Sequence, residues 1–184
     1  MKLLLAALLS LSTLTAQAAP RTLDPTRSEI TFSVKQMGVA VDGRFKRFEA
    51  QLAFDAAKPE TSSAAITVDI ASVDAGSDEA DSTALERAWL DKAGFPKALF
   101  KSSSVRALGA GKYEAKGLLT IKGRPREITV PFTATEQAGG ATLLSGQISI
   151  RRTDFGIGGG EWNEGDLVAN EVPVKFKLML APAR

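Results

Sequence analysis

The sequence contains no cysteine and no histidine. The first absence excludes disulfides, thiol nucleophiles and thiolate metal sites together. The second removes the side chain that most often moves protons near neutral pH, and with it the commonest zinc ligand. An excess of one charge is also missing. The chain has 23 Lys and Arg against 21 Asp and Glu, too even a balance for the clustered basic face that nucleic-acid binding needs, so no nucleic acid is expected as a partner. Past the N-terminus no apolar run approaches the roughly 20 residues that span a bilayer, so no stable membrane insertion is expected. Enzyme motifs are missing too. There is no Gly-x-Ser-x-Gly elbow, no Gly-rich phosphate loop with Lys and no metal-spaced His, so no catalytic residue, metal or cofactor is assigned.

What is present begins with a leader. Lys2 precedes an apolar run from Leu3 to Leu14, and Ala16, Gln17 and Ala18 supply a small-x-small end. That is the pattern of a secretory signal peptide, 1–18, with cleavage expected after Ala18 and a bacterial periplasm as the destination. Residues 19–184 then suit one domain with a sizeable core. Loss of Lys2 lowers the formal net charge from +2 to +1.

Along that domain apolar residues recur at every second position, with turn signals between the runs. Ile30, Phe32 and Val34 share one face; Phe48, Ala50, Leu52 and Phe54 another; Ile66, Val68 and Ile70 a third, and Phe100 faces in from a weaker fourth run. The second half repeats the pattern from Tyr113 to Ile121, Ile128 to Ala134, Leu144 to Ile150 and Val172 to Leu180. Eight one-sided strands with polar outward positions predict an all-β fold, an eight-stranded antiparallel up-and-down barrel or a related sandwich. Such a barrel encloses side chains or one small ligand. The inward set mixes large residues with Ala50, Ala115, Gly117 and Gly146, which either leave room or are filled from facing strands.

One stretch breaks the alternation. In "TALERAWLDKAGFP" Thr83 and Glu86 form a capping box, Leu85, Ala88 and Trp89 fall at helical spacing, and Gly94 and Pro96 stop the run. A short helical insertion between strands 3 and 4 is expected, docked on the barrel end as a plug or as a lid. Asp74, Asp78, Glu79 and Asp81 precede it without calcium-loop spacing. Arg44, Arg124 and Arg126 are candidates for a phosphate head group if they border a mouth. Trp162, in the irregular segment 151–171, either closes the barrel or borders its opening.

"LDPTRSEITFSVKQMGVAVDGRFKRFEAQLAFD", "IASVDAG", "FPKALFKSSSV", "GKYEAKGLLTIKGRPREITVPF" and "RTDFGIG" occur in that order. Together they resemble the YceI-like family of secreted, polyisoprenoid-binding proteins, over Leu23 to about Leu180. The resemblance implies a lipocalin-like barrel whose lumen holds an isoprenoid or long-acyl lipid, with a transport, storage or stress-linked role; a homodimer is compatible with it. Two departures stand out: Gln36 replaces a His common in the family, and "LERAWLDKAGFP" replaces a stretch of the "LRS-x-DFFD" type. On this reading Phe32, Val34, Phe54, Phe100, Leu119 and Phe132 line a tunnel, Leu85, Trp89 and Phe95 are lid contacts, and Trp162 borders the ligand. The alternative is a periplasmic protein-binding or inhibitor module with a filled barrel.

Overall fold

The alternating runs become strands that pair antiparallel throughout. The computed structural model describes residues 17–162 and 167–182, so the expected leader lies almost wholly outside the described residues. The strands are β1 (Pro20–Arg21), β2 (Leu23–Gln36), β3 (Val39–Phe45), β4 (Phe48–Ala53), β5 (Ser63–Asp69), β6 (Val73–Asp74), β7 (Lys97–Gly109), β8 (Lys112–Ile121), β9 (Arg124–Glu136), β10 (Thr142–Arg151) and β11 (Glu171–Leu180), with a helix α1 (Asp78–Leu85) between β6 and β7. They form one sheet in the order β1-β4-β5-β7-β8-β9-β10-β11-β2-β3-β6.

Eleven strands stand where eight were expected, because two long runs change partners. At Thr22 the first run bends, so that Pro20 and Arg21 pair with β4 while the rest pairs with β11. β1, at one end of the strand order, is therefore joined through a single residue to β2, which lies third from the other end. The second run breaks at Lys46 and Arg47: β3 pairs with β2, β4 with β5. Phe45 and Phe48 both turn inward, a switch of parity that a continuous strand cannot make. Ser72 holds the break by accepting from the Arg47 backbone N–H at 2.9 Å. β6 adds two residues against the end of β3.

The registers fix two ends. At the base lie the β7–β8 hairpin, the 54–62 loop and the chain ends. At the top lie the β2–β3 and β8–β9 hairpins, α1 and the segment after β10. The base carries the dense core. Leu52, Phe54, Tyr113, Leu144, Leu178 and Leu180 pack together there, each such burial contributing about 1.5–3 kcal/mol. Phe54 meets Tyr113 edge-on at 5.1 Å, and Tyr113 stacks on Phe132 at 5.4 Å.

The inward glycines do not leave room. Rings from neighbouring strands occupy their space: Phe100 lies over Gly117 and Phe176 over Gly146. A Cβ on Gly117 would overlap the Lys101 carbonyl oxygen and stand 2.8 Å from the Phe100 ring. Gly117→Ala should therefore cost about 1–3 kcal/mol, since backbone cannot yield as a side chain can. Gly159, with nothing within 4 Å of its Cβ position, is the control, and its alanine variant should keep the wild-type urea midpoint.

Outside the sheet, Asp74 accepts from Lys46 Nζ and Arg44 Nε, both at 3.1 Å, and Asp69 pairs with Arg47 at 2.8 Å. The Lys46 ammonium holds the Asp74 carboxyl below its ordinary value, and the Arg47 guanidinium does the same for Asp69. A depressed folded pKa gives stability that is present above the unfolded value of about 3.9 and lost as pH falls through the folded values. With no His, melting temperature should be flat between about pH 5 and 8. It should fall below about pH 4, and Asp74→Asn should make that acid limb shallower.

Candidate functional site

The sheet encloses a cavity of about 600 Å³ that runs from Gln36 and Trp89 at the top down to Phe54 and Ser63 at the base. Its walls are the inward faces of nearly every strand. Phe32, Val34, Phe54, Phe100, Leu119 and Phe132 all line it, and Trp89 and Trp162 border it from the top. Sealed and empty, a hole of this size would cost on the order of 14 kcal/mol at about 24 cal/mol per Å³. That matches the whole stability of a typical domain, about 5–15 kcal/mol. Apolar walls also offer water too few partners to fill the space well.

The helix is shifted relative to its sequence signals. Ser77 is the N-cap, its hydroxyl accepting from the Ala80 N–H at 3.2 Å, and Asp78, Glu79 and Asp81 complement the dipole from the first turn. The Thr83–Glu86 pair is not a cap, because Thr83 is already inside the helix and Glu86 is the extended residue that ends it. Ala80, Thr83 and Ala84, spaced i, i+3 and i+4, face the cavity. Leu85 lies off that stripe and does not line the cavity. Phe95 does not line it either: 36 % exposed, it packs on the β8–β9 hairpin, where a Cβ on Gly123 would stand 2.5 Å from its ring. Trp89 reaches the cavity from the turn after the helix, and this turn is fixed by the Gly158 N–H donating to Ala88 O at 2.8 Å.

Arg152 was missed by sequence reasoning. It is 1 % exposed, and among the described residues no carboxylate pairs with it. Backbone carbonyls take that role. Its Nε donates to Ala169 O at 3.1 Å, Nη1 to Ile157 O at 2.9 Å and Gly158 O at 2.6 Å, and Nη2 to Val168 O at 2.8 Å and to Trp162 O. The guanidinium carbon lies 6.0 Å from the Trp89 ring centroid, within cation–π range, and Trp89 sits 5.8 Å from Trp162. Burial pushes the Arg152 pKa down, and the carbonyls offset that loss of solvent. A signal was available, since the inward parity Leu144, Gly146, Ile148, Ile150 continues to Arg152 and leaves Arg151 outside.

Lys122 secures the same end. Its Nζ donates to Arg87 O at 2.6 Å and Gly156 O at 2.9 Å, and loss of solvent lowers its pKa. None of Arg44, Arg124 and Arg126 lines the cavity. Arg44 is held by Asp74, Arg126 donates to Asp154 O at 2.8 Å, and Arg124 lies against Gly156. Lining residues that are also exposed mark the cavity's openings: Gln36, Ser77, Glu79 and Thr83 form the mouth at the top, while Ser63 lies at the base and Leu99 on β7.

Known proteins resemble this chain in structure or in sequence. BcnA of Burkholderia cenocepacia superposes with a TM-score of 0.83 at 39 % identity, over 86 % of this chain and 99 % of that one. A polyisoprenoid-binding domain of Saccharophagus degradans, implicated in plant cell wall breakdown, superposes with a TM-score of 0.70 at 18 % identity, over 91 % of this chain and all of that one. A UPF0312 protein of Shewanella sp. (strain W3-18-1) is 32 % identical over 167 residues, 85 % of this chain and 87 % of the relative. The YceI-like domain matches residues 22–180, and the chain belongs to the YceI-like family.

Proposed function

We propose that the protein is a lipid-binding protein that encloses a polyisoprenoid or similar long-chain amphipathic lipid and does no chemistry on it. The observation that carries this reading is the apolar cavity of about 600 Å³, within the range of about 300–1,000 Å³ occupied by small-molecule sites. A long tail fits such walls, each Å² of buried apolar surface contributing about 25 cal/mol. Its polar head stays at the mouth, beside Gln36, Ser77, Glu79 and Thr83. The Saccharophagus degradans domain, by its description a polyisoprenoid binder, supports the same ligand class. The signal-peptide pattern of residues 1–18 supports a periplasmic setting for this reading, with carriage or storage of the lipid as the role. A barrel filled by its own side chains, the alternative, is disfavoured by the cavity.

Both tryptophans of the chain border the cavity, so intrinsic fluorescence reports on it directly. Titration with geranylgeraniol, and in parallel with a brominated long-chain fatty acid, should give a saturable change with about one ligand per chain. Emission that ignores both ligands would contradict the lipid reading and favour a protein-binding module.

A further inference from the structure

The turn between β2 and β3 goes against the chemistry its geometry favours. Met37 and Gly38 have φ of 50° and 83°, the pair of left-handed residues for which Asn-Gly or Asp-Gly is preferred. Met37 is nevertheless 74 % exposed, and Val39, the next residue after the turn, is 66 % exposed. A polar residue would suit both backbone and solvent better. Local rules are broken in this way most often at functional positions.

The position of this tip says what covers it. Gln36 and Val41, on either side of it, line the cavity. The Met37 N–H donates to Leu167 O at 2.8 Å, and Gln36 bridges Val168, which brings Leu167, 45 % exposed, to the same place. At the base Leu108 is, among the described residues, the one large apolar side chain exposed, as isolated surface residues ordinarily are. Three exposed apolar side chains at the mouth of an apolar cavity are a different matter.

We propose that Met37, Val39 and Leu167 form a membrane-docking tip, which enters the surface of a lipid bilayer and holds the cavity mouth against it while a lipid passes. The inference rests on the lipid reading of the cavity. A long-chain lipid hardly exists free in water, because every methylene favours the apolar phase, so a cavity that takes one must meet the bilayer at its mouth. Three side chains anchor weakly and reversibly, as a carrier that must leave again requires.

The absence of cysteine makes the test clean. Met37→Cys and Leu108→Cys each give one thiol, at opposite ends, for an environment-sensitive fluorophore. Vesicles of phosphatidylethanolamine and phosphatidylglycerol should blue-shift the label at 37 and leave that at 108 unchanged. Val39→Asp in the unlabelled protein should weaken co-flotation with the same vesicles about tenfold, with the tryptophan response to geranylgeraniol unaffected. Met37→Asn, which suits the turn, should give the same loss if Val39→Asp folds poorly. Equal responses at both labels, or a silent tip in a protein whose tryptophans respond to geranylgeraniol, overturns the docking and leaves the lipid cavity standing. A silent tip with unresponsive tryptophans overturns both. A shift that grows with protein concentration in the absence of vesicles overturns the docking in favour of a second copy of this chain.

Discussion

Phe32→Asp is expected to purify without bound lipid, while Thr31→Asp, one residue away, is expected to keep it. Phe32 lines the cavity and packs on Phe45 with ring centroids 5.4 Å apart. A carboxylate there faces apolar walls, where it must either stay protonated or draw water into the space a lipid tail would fill. Thr31 faces outward, opposite Lys175 on β11 and Arg44 on β3, so a carboxylate at 31 meets two cations in water. The two variants differ in which face of one strand receives the charge. Should Phe32→Asp fold poorly by circular dichroism, Phe100→Gln tests the same wall from β7. Lipid retained in a folded Phe32→Asp, at the level of Thr31→Asp, would contradict the assignment of the wall.

The largest stability effect is expected at Arg152. Arg152→Leu removes the donors to five backbone carbonyls, those of Ile157, Gly158, Trp162, Val168 and Ala169, and leaves them buried beside an apolar side chain. Each unsatisfied carbonyl costs about 1–3 kcal/mol before the loop relaxes. We expect a net loss of about 4 kcal/mol, close to the upper end for single substitutions, which is about 10 °C in melting temperature for a chain of this length. Arg152→Lys should recover part of it, since an ammonium offers three donors in place of five. A melting temperature unchanged in Arg152→Leu would mean that the top of the barrel does not depend on this hub.

The strand interior was legible in the sequence because one face of each strand is wet and the other dry. A period of two then records which side each residue faces, and the inward residues read from Ile30 to Leu180 do face inward. Junctions were less legible. The break at Lys46 and Arg47 is set by a Ser72 hydroxyl 25 residues away, which no local pattern announces. The helix start was misread because two capping signals, Ser77 and Thr83, stand six residues apart. Only the docking of the following turn on Gly158 and Lys122 selects between them. Leu85 was drawn into the site by that shift, and Phe95 by its aromatic bulk beside the helix. Arg152 was passed over for the opposite reason: a charged residue on an inward parity reads as the end of a strand unless its acceptors, spread over Ile157 to Ala169, are known. The hollow itself has no sequence signature, because the same alternation would describe a filled barrel.

The central claim is that this hollow holds a lipid, and organic extraction of the protein purified gently from its native cells, followed by mass spectrometry of the extract, tests it most directly. The account predicts a prenyl or long-acyl species at about one per chain. An extract with no such species, reproduced across gentle preparations, would contradict it and turn attention to a protein partner.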